Sequence, residues 1–124
     1  NKISEIFFLE QVIPSAGQGI IALQCREDDE EIISVLKIIN HNETFMRAHV
    51  ERNILKVLEG DCETAVGAHS IIKDDKIIVE AELFSLDGTK RFYEKKTGKV
   101  ENFSQIGKEL GQILKTKSNN SYKR

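Results

Sequence analysis

The sequence is poor in the residues that mark several classes of protein. Its 124 residues include one proline, one methionine, no tryptophan and two cysteines. Cys25 and Cys62 stand far apart with no CxxC spacing, which argues against a disulfide framework or a structural zinc site and favours a reducing cytoplasm. No apolar run approaches the roughly 20 residues that a membrane-spanning helix needs, so no membrane location is expected.

A strong charge of one sign is also missing. The formal net charge is −2 and the pI is about 6.0, so we expect no nucleic acid and no anionic membrane as a partner. An apolar content of 40% and a charged content of 31% fit one globular domain. The chain begins with Asn1 rather than Met and shows no signal-peptide pattern, and we expect it to be a piece of a longer protein.

The first 27 residues combine a turn-rich loop with a short apolar run. The loop Ile13–Gly19 holds the only proline and two glycines. The run Ile20–Cys25 predicts a β-strand buried on both faces, yet no neighbouring segment is an obvious sheet partner. We therefore expect its partner strands to belong to a part of the protein outside this chain. Alone, the strand would expose an edge through which two copies could dimerise.

Two helices are predicted next. Acidic residues at Asp28–Glu31 suit the first turn of a helix, and apolar residues then recur at helical spacing. Asn42 or a neighbour is placed to cap a second helix that runs to about Leu58, and Gly60 is a natural stop.

An alternation of period two after Gly60 predicts three antiparallel strands, over residues 64–73, 77–84 and 90–97. The pair Asp74-Asp75 forms the first turn and Leu86–Thr89 the second. A last helix carries Gly107 and Gly111 on one face, which permits close packing.

The predicted fold is α+β, with the order α-α-β-β-β-α and helices covering a three-stranded antiparallel sheet. Residues 117–124 are predicted to be a polar, frayed tail.

Cys62 is the most conspicuous candidate for chemistry, because a cysteine in a loop is accessible. Its neighbours Glu59, Asp61 and Glu63 disfavour the thiolate, so the residues alone favour an incidental loop thiol over a strong nucleophile.

The other polar candidates are weaker. The three histidines form no metal-binding or catalytic motif, and no metal site is predicted. Arg26 could clamp a carboxylate bidentately, or could form a surface ion pair with Glu27 or Asp28.

Several short stretches, taken in order, resemble porphobilinogen deaminases. Pro14–Gly19, followed by an apolar run that ends Cys25-Arg26, resembles their P-A-V-G-Q-G and E-C-R segments. Ile39–Thr44 resembles their L-N-H-x-E-T junction. Val50-Glu51-Arg52, followed by Leu58–Cys62, resembles their A-E-R and L-E-G-G-C. The resemblance extends over about residues 13 to 115.

This resemblance implies an enzyme of three domains, of which the third is a small α+β domain. The family joins four porphobilinogen molecules into hydroxymethylbilane with release of ammonia, a step of tetrapyrrole (haem) biosynthesis. A loop cysteine of the third domain holds a dipyrromethane cofactor through a thioether. Residues 1–27 would then belong to the preceding catalytic domains, and residues 28–116 would be the domain that anchors the cofactor.

By position, the resemblance makes Cys62 the attachment residue and places Arg26, Gln18 and Gly19 among the residues that bind cofactor or substrate. No catalytic residue is expected in this chain, which alone should be inactive, and the full-length enzyme is expected to be a monomer. Asp61 and Ala65 depart from the glycine and proline that are usual in the family.

Two alternatives stand beside this interpretation. One is a non-enzymatic α+β interaction module in which Cys62 is incidental. The other is a small cysteine-dependent hydrolase, against which the acidic neighbours of Cys62 argue.

Overall fold

The computed structural model describes residues 3–60 and 63–123. Its helices and strands are α1 (Glu30–Ile39), α2 (Asn42–Leu58), β1 (Val66–Lys73), β2 (Lys76–Phe84), β3 (Arg91–Lys99) and α3 (Phe103–Ser118), with a 3₁₀ turn at Val100–Asn102. The predicted α+β fold and its order of elements are confirmed.

The three strands form one antiparallel sheet in the order β1-β2-β3. The turn between β1 and β2 is tight, since Asp74 and Asp75 both take positive φ angles of 50° and 56°, as a two-residue hairpin turn requires. Gly88 has φ 71° in the second hairpin. Both predicted turns are therefore confirmed.

The core lies between one face of the sheet and helices α2 and α3. Buried side chains of that core come from every one of these layers and include Val50, Ile54, Ile77, Val79, Leu83, Leu110 and Leu114. The two glycines of α3 allow the helices to touch, because a Cβ on Gly107 would lie 2.3 Å from the carbonyl oxygen of Val50. The predicted close packing at Gly107 and Gly111 is confirmed.

Helix α1 does not cover the sheet. Its N-cap, Asp29, accepts a 3.1 Å hydrogen bond from the backbone N–H of Ile32, but none of its residues is buried. Ile32, Val35 and Ile38 are exposed. The predicted cover of the sheet is therefore supplied by α2 and α3, while the apolar side of α1 finds no cover within the described chain.

The segment Ile20–Cys25, whose predicted partner strands lie outside this chain, forms no strand among the described residues. The segment pairs with none of the strands among residues 3–60 and 63–123, and Ile21 is 89% exposed. A strand is defined by its ladder of hydrogen bonds to a partner, and an apolar sequence alone cannot supply that partner.

The prediction of a frayed tail was wrong. Helix α3 continues to Ser118, and Tyr122 is only 1% exposed. The backbone N–H of Leu86 donates a 2.9 Å hydrogen bond to the carbonyl of Ser121. A buried aromatic ring thus fixes a segment whose other residues are polar. No helix in the described residues has the length and apolar character needed to cross a membrane.

Candidate functional site

The loop that precedes Gly19 is tied to the edge strand β1. The backbone N–H of Ala68 donates a 2.9 Å hydrogen bond to the carbonyl of Pro14. Gly67 makes this approach possible, because a Cβ there would lie 2.5 Å from the carbonyl oxygen of Ile13. The segment at residues 13–14 therefore runs against the sheet, although it lies more than 50 residues away in sequence.

A buried carboxylate on α2 holds the same loop further along. Glu51 is 3% exposed. Its Oε2 accepts a 2.8 Å hydrogen bond from the backbone N–H of Gly17, and its Oε1 accepts one of 2.7 Å from the Ser70 hydroxyl. Hydrogen bonds to an ionised acceptor are stronger than neutral ones, so this side chain joins loop, helix and strand.

A second buried carboxylate, that of Glu82 on β2, contacts the start of the loop. Glu82 accepts a 3.2 Å hydrogen bond from the N–H of Ile13 and a 2.7 Å charge-assisted bond from Nε of Arg91. A buried charge needs a partner, and Arg91 supplies it. The loop is therefore held at both ends by acidic side chains of the folded domain.

Gln18 and Gly19 lie in the exposed part of this loop. Gly17 and Gly19 have positive φ angles of 74° and 77°, and a Cβ at either position would meet nothing within 4 Å. The backbone at these glycines is thus open to close approach by a ligand. Gln18 is exposed beside them, within a turn closed by its N–H and the carbonyl of Ser15.

Arg26 lies on the exposed segment that precedes α1. Its side chain is 85% exposed, and its guanidinium lies 3.8 Å from the carboxylate of Asp29. Such an ion pair contributes little and leaves the guanidinium available. Within the described residues no hydrogen bond links Arg26 to Gln18 or Gly19, which are neighbours in the chain.

The C-terminal end of α2 is held by side chains from the end of the chain. The Tyr122 hydroxyl donates a 2.7 Å hydrogen bond to the carbonyl of Leu58. Nζ of Lys115 lies 3.1 Å from the carbonyl of Val57 and 2.8 Å from Oε2 of Glu59. Lys123 approaches the same carboxylate oxygen at 3.4 Å. The last turn of α2 is therefore capped from residues far away in sequence.

Helix α2 ends at Leu58, as predicted, but the residue that terminates it differs from the predicted one. Glu59, not Gly60, takes the left-handed conformation, with φ 51°. Gly60 instead permits a tight loop, because a Cβ there would lie 2.6 Å from Oγ1 of Thr64. Gly60 and Thr64 therefore lie in contact. Asp61 and Cys62 lie outside the described residues.

Two lysines offset the charge of Glu59 beside this loop. Hydrogen bonds from Lys115 and then Lys123 lower the pKa of the Glu59 carboxyl, and the bond to Glu59 raises the pKa of Lys115. The negative charge of Glu59 is therefore offset by two cations at the end of α2.

Two of the three histidines, His41 and His49, have structural roles. Nδ1 of His41 accepts a 3.3 Å hydrogen bond from the N–H of Thr44 and caps α2, and His49 packs against the rings of Phe45 and Phe103. Across residues 3–60 and 63–123, no three His, Cys, Asp or Glu side chains are grouped to hold a metal ion.

Sequence reasoning missed the roles of Glu51, Glu82 and Tyr122. A signal existed for Glu51, which shares a helix face with Ile54 and Leu58 and was therefore bound to be buried. Tyr122 is the only aromatic residue of a polar segment, which is a weaker signal. Nothing local distinguishes Glu82 from the other acidic residue of its strand face, Glu80.

The comparisons with a family model and with curated relatives agree on one family. The family model "Porphobilinogen deaminase, C-terminal domain" matches residues 45–116. The porphobilinogen deaminase of Desulforamulus reducens is 38% identical over 114 residues, which cover 92% of this chain and 37% of the relative.

Other relatives agree. The porphobilinogen deaminase of Coxiella burnetii (strain Dugway 5J108-111) is 37% identical over 115 residues, covering 92% of this chain and 38% of its own length. The porphobilinogen deaminase of Prochlorococcus marinus (strain MIT 9515) is 28% identical over 115 residues, which cover 93% of this chain and 36% of the relative. The chain thus spans little more than a third of the length of these curated relatives. It belongs to the porphobilinogen deaminase family and contains that family's C-terminal domain.

Proposed function

We propose that Cys62 is the attachment residue of a dipyrromethane cofactor, and that the chain forms the C-terminal part of a hydroxymethylbilane synthase. The observation that carries this proposal is the match of the family model across residues 45–116, a range that includes Leu58–Cys62. A thiol at that position can form the thioether that the cofactor needs. The complete enzyme would convert four porphobilinogen molecules into hydroxymethylbilane and release ammonia.

The residues of this chain would bind and position rather than catalyse. When bound, the dipyrromethane supplies the pyrrole end to which further units are added. Cys62 would hold it in place through sulfur. Gln18 and the open backbone at Gly19 would line the cofactor side of the cleft, and Arg26 would pair with acetate or propionate groups, since a guanidinium binds carboxylates bidentately.

The folded domain supports these roles by fixing one loop and the C-terminal end of α2. The carboxylates of Glu51 and Glu82 hold the loop that contains Gln18 and Gly19. The end of α2, from which the loop of Cys62 departs, is held by Tyr122 and Lys115. Glu51 and Glu59 lie eight residues apart on or beside α2, which corresponds to about 12 Å along the helix axis.

The remaining partners follow from the same proposal. Porphobilinogen and the growing pyrrole chain would reach this domain through the parts of the enzyme that this chain does not include. The thiol must stay reduced until it is alkylated, which suits the cytoplasm expected from the cysteine content. A monomeric full-length enzyme, with no nucleic acid and no membrane partner, completes the proposal.

The test uses a hybrid enzyme in which this chain replaces the matching C-terminal segment of the Desulforamulus reducens relative. We expect the hybrid to consume porphobilinogen, the Cys62→Ser variant to be inactive, and the Cys25→Ser variant to keep its activity. Cys25 is the matched control because it is the only other thiol of the chain.

Unchanged activity in the Cys62→Ser hybrid would contradict the proposal and favour an interaction module with an incidental thiol. Rapid labelling of Cys62 by iodoacetamide at neutral pH, faster than that of Cys25, would instead support a cysteine-dependent hydrolase.

A further inference from the structure

We propose that Lys115, Tyr122 and Lys123 form a positioning device for the loop of Cys62, acting as a cap on the C-terminal end of α2. These three residues are here called the C-terminal clamp. The effect of this clamp on cofactor loading rests on the proposed function of Cys62. The claim that the clamp fixes the end of α2 rests only on the contacts described below.

The first step concerns the carbonyl groups at the end of α2. The last four carbonyls of a helix have no partner within the helix. Here the carbonyl of Leu58 accepts from the buried hydroxyl of Tyr122, and that of Val57 accepts from Nζ of Lys115. Leu58 and Tyr122 are both fully buried, so water cannot replace the lost hydrogen bond if the hydroxyl is removed.

The second step concerns the direction in which the chain leaves the helix. Glu59 adopts the left-handed conformation at φ 51°, which is unfavourable for a residue with a Cβ. Its carboxylate is held by Lys115 at 2.8 Å and by Lys123 at 3.4 Å. The clamp thus stabilises a backbone conformation that glutamate by itself seldom adopts, and this conformation directs the chain into Gly60.

The third step concerns the short distance in sequence between Glu59 and Cys62. Cys62 follows Glu59 by three residues. The direction in which the chain leaves Glu59 therefore limits where the sulfur of Cys62 can be placed. A tethered cofactor needs its attachment atom at a fixed place, because misplacement of a reacting group lowers the rate steeply.

The clamp is also connected to the rest of the domain. The carbonyl of Ser121 accepts a 2.9 Å hydrogen bond from the N–H of Leu86, in the hairpin between β2 and β3. The segment that carries Tyr122 is therefore fixed on two sides, by α2 and by the hairpin. This rigidity is what a positioning element requires.

The structural part is tested by hydrogen exchange of the Glu59 amide, which donates to the carbonyl of Leu55. We expect Tyr122→Phe to raise its exchange rate about tenfold, because the buried carbonyl of Leu58 loses its partner while the ring is kept. Lys115→Met is a second variant that removes the contacts to Val57 and Glu59 but keeps the apolar stem, and it should act in the same direction.

Two controls separate this effect from a general loss of stability. Tyr93→Phe removes a hydroxyl that binds Glu80 on the sheet, and Ile106→Val trims the core. Both should leave the exchange of the Glu59 amide within about twofold of wild type, since the end of a helix exchanges by local opening. An unchanged rate in Tyr122→Phe and Lys115→Met, or an equal rise in Ile106→Val, would overturn the inference.

The functional part is tested in the hybrid enzyme by the fraction of Cys62 that carries the cofactor. We expect Tyr122→Phe to reduce this fraction at least about twofold, with Tyr93→Phe loaded like wild type. Equal loading in Tyr122→Phe and wild type would overturn this part. A wild-type hybrid without any adduct at Cys62 would refute the proposed function instead, and the exchange rates would still decide whether the clamp holds the loop.

Discussion

The carboxylate of Glu51 accepts a partly buried 2.8 Å hydrogen bond from the backbone N–H of Gly17, across 34 residues of sequence. Through it, helix α2 fixes a loop whose glycines are open to a ligand. The same carboxylate accepts from Ser70 on β1, so one side chain joins three segments. The position of the loop is therefore a property of the folded domain.

Replacement of that carboxylate should loosen the loop. We expect Glu51→Gln to lower the free energy of unfolding by about 1–3 kcal/mol, because a charge-assisted acceptor of two hydrogen bonds becomes a neutral amide. Urea denaturation measures the change. The control is Glu43→Gln, an exposed glutamate in the first turn of the same helix, with an expected cost below about 0.5 kcal/mol. Equal costs for the two variants would contradict the role of Glu51.

The contact between α2 and α3 should tolerate no side chain at Gly107. A Cβ there would lie 2.3 Å from the carbonyl oxygen of Val50, which is backbone and cannot move aside cheaply. We expect Gly107→Ala to destabilise the domain by about 1–3 kcal/mol, although alanine favours helices more than glycine does. Thermal or urea denaturation measures this change in the free energy of unfolding. Lys108→Ala, a substitution at the exposed neighbouring position, is the control. A stabilised Gly107→Ala variant would show that the helices do not pack this closely.

The hairpin after β2 should lose stability in strong acid through the protonation of Asp87. Hydrogen bonds from Ser85 and Thr89 lower the pKa of Asp87 from its ordinary value of 3.8 to about 2. Since the folded pKa lies below the unfolded one, this stabilisation is complete above pH 3.8 and disappears as the pH falls through about 2. Carboxyl titration by NMR should show it, and Asp87→Asn should remove that part of the acid dependence. An Asp87 that titrates at 3.8 or above would contradict the hydrogen-bonded turn.

Arg26 should matter for activity but not for stability. Its side chain is almost fully exposed and its pair with Asp29 is a surface contact, so Arg26→Leu should change the free energy of unfolding by less than about 0.5 kcal/mol. In the hybrid enzyme the same change should raise the KM for porphobilinogen if Arg26 binds carboxylates. Asp29→Asn is the control, which frees the guanidinium and should not raise the KM. An unchanged KM in Arg26→Leu would remove this residue from the proposed binding set.

Local patterns were enough to predict the sheet. The alternation of Ile77, Val79, Ala81 and Leu83 determines which face of β2 is buried, and the turns at Asp74-Asp75 and Gly88 fix the two hairpins. These signals span only a few residues, so a single sequence contains them in full.

Long-range relationships could not be predicted in the same way. The hydrogen bond from Tyr122 to Leu58 and the hydrogen bond from Ile13 to Glu82 each join residues more than 60 positions apart. The periodicity of apolar residues predicts that a residue is buried, but it does not predict which distant residue it contacts. The segment Ile20–Cys25 forms no strand within the described residues, and the expectation that its partner strands lie outside this chain stays a prediction. The roles of Cys62, Arg26, Gln18 and Gly19 stay predictions, based on the resemblance to the family.

The central claim is that Cys62 carries the cofactor, and the most direct measurement is the intact mass of the hybrid enzyme followed by peptide mapping. The account predicts a dipyrromethane adduct on the peptide that contains Cys62, kept in Cys25→Ser and absent from Cys62→Ser. A hybrid that turns over porphobilinogen with an unmodified Cys62, or with the adduct on another residue, would contradict it.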